Sequence, residues 1–151
     1  MEIKELYLDN YLGKEINGWI RNHRKQAHFG FIDLFDGTCF KSVQIVYDEG
    51  LSNFEEVSKL LVGSSICVSG LVVESAGKQE FEIKAKVVSI LGYCDETYPI
   101  QPKRHTREFL RDVAYLRPRT ALFQAIFRIR SVASMAIHTY FQDRGYVYFR
   151  L

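Results

Sequence analysis

Residues 15–47 have the sequence EINGWIRNHRKQAHFGFIDLFDGTCFKSVQIVY, and this stretch decides the fold of the chain. In three runs, at residues 15–24, 29–37 and 39–47, β-branched and aromatic side chains are separated by polar ones, which is typical of half-buried strands. The pair Asp36-Gly37 is a hairpin-turn signal between the second and third runs. The stretch therefore predicts three consecutive strands joined by turns.

The next residues add one helix and two strands to this pattern. Residues 51–63 have apolar side chains at helical spacing before Gly63, which predicts one short helix. Residues 65–73 and 80–91 predict two more strands. In the last strand we expect one apolar face, made of Phe81, Ile83, Ala85 and Val87. The order strand-strand-strand-helix-strand-strand predicts a mainly β fold, the five-stranded OB barrel.

The segment after the barrel has a different pattern. Residues 92–104 include Tyr98-Pro-Ile-Gln-Pro, which favours an extended connector. A short helix is predicted at 106–113, and Thr120 is a suitable N-cap for a long helix that ends with Gly145 at the C′ position. Residues 146–149 are expected to begin a strand. We therefore divide the chain into an OB domain at 1–91, a hinge at 92–119 and a helical segment at 120–151.

The long helix has an apolar stripe that no other segment of the sequence is suited to cover. The stripe consists of Leu122, Ile126, Ile129, Ala133, Ile137 and Phe141. Burial of large apolar side chains contributes roughly 1.5–3 kcal/mol each, and their exposure favours association. We therefore expect the stripe to form a dimer interface with a second copy of the chain, or to be covered by a further domain.

Composition limits the class of protein. The chain has 151 residues, of which 47% are hydrophobic and 25% charged, which suits a folded core and excludes intrinsic disorder. No apolar run approaches the roughly 18 residues of a membrane span, and the first ten residues do not resemble a secretion signal. The three cysteines, Cys39, Cys67 and Cys94, are widely spaced, which argues against a disulfide framework or a zinc site. We expect buried thiols in a reducing, cytoplasmic compartment.

The charge is unevenly distributed along the chain. Residues 1–98 have ten Lys/Arg and fifteen Asp/Glu, a net charge of −5, whereas residues 99–151 have ten and three, a net charge of +7. Non-specific affinity for nucleic acid comes from phosphate neutralisation, which an acidic barrel cannot supply in bulk. If the barrel binds RNA, it must do so through a few placed groups.

The first three strands carry the candidate binding residues. An OB barrel binds single-stranded nucleic acid across its second and third strands by stacking bases on aromatic rings. Phe29 and Phe31 are either such rings or core residues, and Gln44 is either a base-contacting amide or an outward polar residue without a role. Arg21, Arg24 and Lys25 supply nearby cations. His23 and His28 favour a nucleic-acid contact or a solvated loop over a metal site, and no common catalytic or nucleotide-binding signature is present.

Several segments, in order and spacing, resemble the N-terminal part of an asparaginyl-tRNA synthetase. They are GWIRNHR, FGFIDLFDGTCFKSVQIV, VSGLVVES, EFEIKAK, TYPIQPKRHTREFLRDVAYLRPRT and FRIRSVASMAIHTYFQDRGY. The hinge segment, TYPIQPKRHTREFLRDVAYLRPRT, is the most specific, and it is also similar to that of aspartyl-tRNA synthetases. The short sequences DGTCF and AYLRPRT favour the asparagine enzyme.

The resemblance implies an anticodon-binding OB domain, a hinge and the opening of a class II catalytic domain. In that family the aromatic residue at Phe31 stacks on the middle anticodon base, the glutamine at Gln44 hydrogen-bonds that base, and the arginine at Arg24 supports base and backbone. The glutamate at Glu82 corresponds to one that contacts the first anticodon base. The implied partner is the asparagine tRNA with its GUU anticodon.

The same resemblance limits the catalytic expectation. The family motifs that bind ATP and the amino acid would follow residue 151, so we expect no catalytic residue and no cofactor in this chain, and ATP with magnesium only for the complete ligase. The first hypothesis is a truncated asparagine-tRNA ligase that binds tRNA without catalysis. A second hypothesis is that the chain is one half of a split, active ligase. A third is a stand-alone OB protein that binds single-stranded nucleic acid, which would not need the hinge segment.

Overall fold

The computed structural model describes residues 1–7, 15–75, 77 and 79–149, and within them the predicted OB barrel is confirmed. The strands are β1 (Ile16–Lys25), β2 (Phe29–Phe35), β3 (Val43–Asp48), β4 (Ser65–Glu74) and β5 (Phe81–Gly92). The helices are α1 (Ile3–Leu6), α2 (Phe54–Ser58), α3 (Arg107–Asp112) and α4 (Ala121–Gln142), with a 3₁₀ turn at Arg117–Arg119.

The five strands close into a barrel in the order β1-β2-β3-β5-β4. All neighbouring pairs are antiparallel except β3 and β5, which are parallel, and β1 pairs with β4 to complete the closure. Helix α2 lies in the connection from β3 to β4, which are not neighbours in the barrel because β5 lies between them. The closed sheet has an inner apolar face and an outer face on which functional side chains can be placed.

The inner face is filled mainly by β-branched residues. Fully or almost fully buried side chains include Ile16, Ile20, Ile32, Leu34, Ile45, Ile66, Val68 and Ile83. Helix α1 adds Ile3 and Leu6 to this core and was not predicted. A four-residue helix has little stability of its own. It is held by two hydrogen bonds to the β2–β3 turn, from Ile3 N to Asp36 Oδ2 at 2.7 Å and from Lys4 N to Thr38 Oγ1 at 3.1 Å.

The predicted inner face of β5 is wrong in its second half. Val87 is 56% exposed, whereas its neighbour Val88 is 3% exposed and belongs to the core. The register explains the change, since Ser69 faces Val87 and Gly70 faces Ala85, which leaves Lys86 as an extra residue. Such a β-bulge reverses the alternation of the strand beyond it.

The chain divides into two compact units, residues 1–105 and residues 106–151. The division falls inside the predicted hinge at 92–119, and the predicted domain bounds stay a prediction. The expected caps are present in the second unit. Thr120 Oγ1 accepts a hydrogen bond from Phe123 N at 3.5 Å, and Gly145 adopts a positive φ of 81°. The bonds from Gly145 N to Gln142 O and from Tyr146 N to Phe141 O complete a Schellman motif at the end of α4.

Two further expectations about this unit have different outcomes. The predicted strand start at 146–149 is wrong, because these described residues have no strand partner and a strand is defined by its pairing. Much of the apolar stripe of α4 is exposed, with Ile129 at 68% and Ile137 at 59%.

No described helix combines the length and the apolar character needed to cross a membrane. The three cysteines, all described, are half-buried rather than buried and form no disulfide.

Candidate nucleic-acid interface

Strand register places the predicted ring, amide and cation on one face. Arg24 of β1 is opposite Phe31 of β2, and Gln44 of β3 is opposite Asp33, two residues along β2 from Phe31. Because side chains alternate across a strand, the residues that follow Phe31 and Gln44, which are Ile32 and Ile45, point into the core. Arg24, Phe31 and Gln44 therefore share the outer face of adjoining strands, as the sequence predicts.

Phe31 lies on this outer face and not in the core. Its ring makes an edge contact with Phe29, with centroids 5.5 Å apart and an interplanar angle of 86°. The guanidinium carbon of Arg24 lies 5.0 Å from the Phe31 ring centroid, within the range of a cation–π contact. The pair forms an aromatic and cationic surface to which a base can add by stacking.

Gln44 points to the outer face, where its neighbours bury it and hydrogen-bond both sides of its amide. Its side chain is only 6% exposed. The Oε1 atom accepts from Arg24 Nη2 at 2.8 Å, and the Nε2 atom donates to Glu82 Oε2 at 2.8 Å. A guanidinium can only donate and a carboxylate can only accept, which determines which end of the amide is which. Gln44 is therefore held in one orientation.

Glu82 reaches Gln44 through the parallel pairing of β3 with β5. Ile45 is opposite Ile83 in that pairing, which places Glu82 beside Gln44 on the outer face. Its Oε2 atom also accepts from Ser75 Oγ at 3.2 Å. The four predicted site residues are thus connected by contacts: Arg24 contacts Phe31 and Gln44, and Gln44 contacts Glu82. Their roles toward a ligand stay predictions.

Two members of this group are missed by sequence reasoning, Ser75 and Gln79 of the β4–β5 turn. Gln79 Nε2 donates to Gln44 Oε1 at 2.7 Å, so the amide oxygen has a second donor besides Arg24. Both residues lie in a polar run between strands, which indicates a turn but not where its side chains point. Their positions depend on the closure of the barrel, which brings β5 beside β3.

His23 does not lie where the sequence predicts. A bulge between Ile20 and Asn22 shifts the alternation of β1, and His23 faces inward. Its Nε2 atom is 2.7 Å from Tyr47 Oη and its Nδ1 atom is 2.9 Å from Leu60 O. Burial lowers the pKa of His23 below its ordinary value, which favours the neutral ring. His23 thus lies half-buried in β1 and not in a solvated loop, while its contact with nucleic acid stays a prediction.

His28 remains at the surface, where its Nδ1 atom lies 2.7 Å from Glu49 Oε1. Within the described ranges no three His, Cys, Asp or Glu side chains are grouped in a way that could hold a metal ion. The chemistry available at the interface is therefore that of rings, amides and charges.

A family model described as an OB-fold nucleic acid binding domain matches residues 15–91. Among curated proteins, the asparagine–tRNA ligase of Desulfitobacterium hafniense is 51% identical over 97% of this chain and 33% of its own length. That of Acholeplasma laidlawii is 53% identical over 98% of this chain and 33% of its own length. The chain spans about a third of the length of these relatives.

Solved structures show the same fold at lower identity. The asparaginyl-tRNA synthetase of Pyrococcus horikoshii, complexed with asparaginyl-adenylate, matches 99% of this chain and 36% of its own, with a TM-score of 0.79 and 24% identity. The aspartyl tRNA synthetase of Entamoeba histolytica matches 100% and 38%, with a TM-score of 0.85 and 17% identity. With its barrel matched by the family model and its sequence related to asparagine–tRNA ligases along nearly its whole length, the chain belongs to the family of OB-fold nucleic acid binding domains found in those enzymes.

Proposed function

We propose that this chain binds the anticodon loop of a tRNA, as the anticodon-binding portion of an asparagine–tRNA ligase. The observation that carries the proposal is the connected group of Phe31, Arg24, Gln44 and Glu82 on the outer face of the barrel. These four residues are also those that the family resemblance assigns to anticodon recognition. The names of the curated relatives point to an asparagine tRNA as the partner, and its GUU anticodon is what the family resemblance implies.

The arrangement suits a loop of single-stranded RNA. The ring of Phe31 offers a face for the middle base, and such stacking contributes about 1–3 kcal/mol per base. The Gln44 amide supplies a donor and an acceptor, which match the O4 and N3–H groups of uracil. The Arg24 guanidinium can hold base or phosphate, and the Glu82 carboxylate can accept from the first base. Residues 1–98 have a net charge of −5, which disfavours non-specific attraction of RNA phosphates. Binding through a few specific contacts of this kind is compatible with that charge.

Attachment of asparagine with ATP and magnesium is proposed only for the complete ligase, whose curated examples are about three times as long as this chain. No described residue is assigned to adenylate formation. The function proposed for the chain itself is binding.

Binding of a GUU anticodon stem-loop, measured by fluorescence anisotropy at one fixed salt concentration, tests the proposal. Phe31→Ala should weaken binding by about 1–3 kcal/mol, because it removes the stacking surface. Tyr93→Ala is the matched control, since Tyr93 is an exposed aromatic residue that directly follows β5, whereas Glu82 lies near the start of that strand. Equal losses in the two variants would contradict a site at Phe31.

Gln44→Ala should reduce the preference of the chain for U over another middle base. An unmade hydrogen bond to a polar base edge is costly, so the loss should be larger for the GUU loop than for a loop with a changed middle base. If both loops lose affinity equally, Gln44 supports the site but does not select the base.

A further inference from the structure

The β4–β5 turn places Gln79 on the Gln44 amide, and the proposed function assigns Gln79 no role. The bond from Gln79 Nε2 to Gln44 Oε1 is 2.7 Å long, comparable with the 2.8 Å bond from Arg24 Nη2 to the same oxygen. Gln79 lies outside both strands, since β4 ends at Glu74 and β5 begins at Phe81. A buried strand residue is thus capped by a half-buried side chain from a turn.

This contact changes what Gln44 can offer to a ligand. An amide oxygen has two lone pairs, and here Arg24 and Gln79 take both. The amide nitrogen has two hydrogens, of which Glu82 accepts one. With Gln79 in place, Gln44 therefore presents one N–H donor and no unused acceptor position. The edge of uracil carries both a carbonyl oxygen and an N–H group, and the N–H has no acceptor to bind.

The side chain of Gln79 has the same chemistry as that base edge. Its carboxamide carries an N–H group beside a carbonyl oxygen, as uracil does at N3 and O4. We propose that Gln79 is a placeholder for the middle base, occupying the acceptor position of Gln44 in the free chain and leaving it when a uracil binds. The inference rests on the proposed function, because it takes a uracil as the incoming group.

The rest of the site can keep its geometry when Gln79 leaves. Arg24 and Glu82 hold opposite ends of the Gln44 amide, so its orientation survives the loss of the third contact. Gln79 lies outside the strands, so a change of its own side-chain rotamer removes the contact, whereas Gln44 belongs to a strand of the closed barrel. A neutral hydrogen bond has a small net value in water, so the placeholder opposes binding only modestly.

The test is the binding of the GUU stem-loop to the wild-type chain, to Gln79→Ala and to Gln142→Ala, a glutamine control on α4. Gln79→Ala should lower the Kd by about two- to tenfold, the value of one neutral hydrogen bond. Stopped-flow anisotropy should assign the gain to the association rate, because a larger fraction of the free variant is open to the base. A purely structural Gln79 would give weaker binding and no faster association.

The outcomes separate this inference from the proposed function. If the wild-type chain binds the loop and Gln79→Ala binds equally well or more weakly, the placeholder role is overturned and the proposed function stands. If neither chain binds, both are overturned. Gln79→Asn is the second variant, because its carboxamide is one methylene too short to keep the contact. It should bind as tightly as Gln79→Ala, and wild-type affinity for it would contradict the inference.

Discussion

At the scale of single residues, the position of Gln44 depends on hydrogen bonds from distant elements, and that of His23 depends on a bulge in β1. A glutamine between Val43 and Ile45 is unusual for a strand, which makes it a candidate for contact with a base but leaves an outward residue without a role as the alternative; the family resemblance is what assigns it to the site. Its burial and its hydrogen bonds could not be foreseen, because they come from Glu82 and Gln79, 38 and 35 residues away. His23 was misplaced because one bulge reverses the side of the strand on which a residue lies.

The inward position of His23 predicts a pH-dependent stability. Burial lowers its pKa in the folded state, while the unfolded chain titrates near the ordinary value of about 6.5. Below that pH the unfolded state binds more protons than the folded state, so the free energy of unfolding should fall as the pH decreases below about 6.5. Above that pH His23 is neutral in both states and contributes no slope.

Urea unfolding followed by the fluorescence of Trp19, the single tryptophan, measures this dependence between pH 7 and pH 5. His23→Gln should flatten the slope, because an amide can bond to Tyr47 and Leu60 without titrating. His28→Gln is the control at the exposed histidine and should keep the wild-type slope. A wild-type slope in His23→Gln would show that other groups cause the pH dependence.

At the scale of elements, the sequence was sufficient for those with a regular pattern. The five strands and the two helices after the barrel carry periodicity, turn residues or caps that act locally, and Thr120 and Gly145 have their predicted roles. Helix α1 and the bulges in β1 and β5 have no local signal. Each depends on contacts with distant strands, as the bonds from α1 to Asp36 and Thr38 show.

The β5 bulge predicts a specific need for glycine at position 70. A Cβ atom there would lie 2.2 Å from the backbone oxygen of Lys84, a contact that requires the two strands to move apart. Gly70→Ala should therefore destabilise the barrel by about 1–3 kcal/mol, as overpacking does in other cores. Urea unfolding monitored by Trp19 gives the value.

Gly77→Ala is the matched control for this substitution. A Cβ atom at position 77 meets its nearest neighbour, Ser75 Oγ, at 3.6 Å, which is an ordinary contact. The free energy of unfolding of the Gly77→Ala variant should stay within about 0.5 kcal/mol of the wild-type value, apart from the usual effect of the lost backbone freedom in the unfolded chain. An equal effect at the two positions would remove the steric explanation.

At the scale of the whole chain, the two compact units differ in how they bury apolar surface. Residues 1–105 contain the barrel with its closed core, whereas in residues 106–151 large side chains of α4 and the segment after it remain exposed, including Ile129, Val132, Ile137 and Phe149. Exposed apolar area of this extent is typical of an association surface. The two units also differ in charge, because the acidic residues are concentrated in the barrel unit.

We expect the 151-residue chain to self-associate through α4. Light scattering after size-exclusion chromatography should give a mass above that of the 17.6 kDa monomer, increasing with concentration. The double variant Ile129→Glu, Ile137→Glu should shift the chain toward monomer, because two charges cannot be buried unpaired in an interface. Ser131→Glu, an exposed position on the opposite side of α4, is the control and should leave the mass unchanged. A monodisperse wild-type monomer whose α4 amides exchange as slowly as those of the barrel would show that this helix needs no partner.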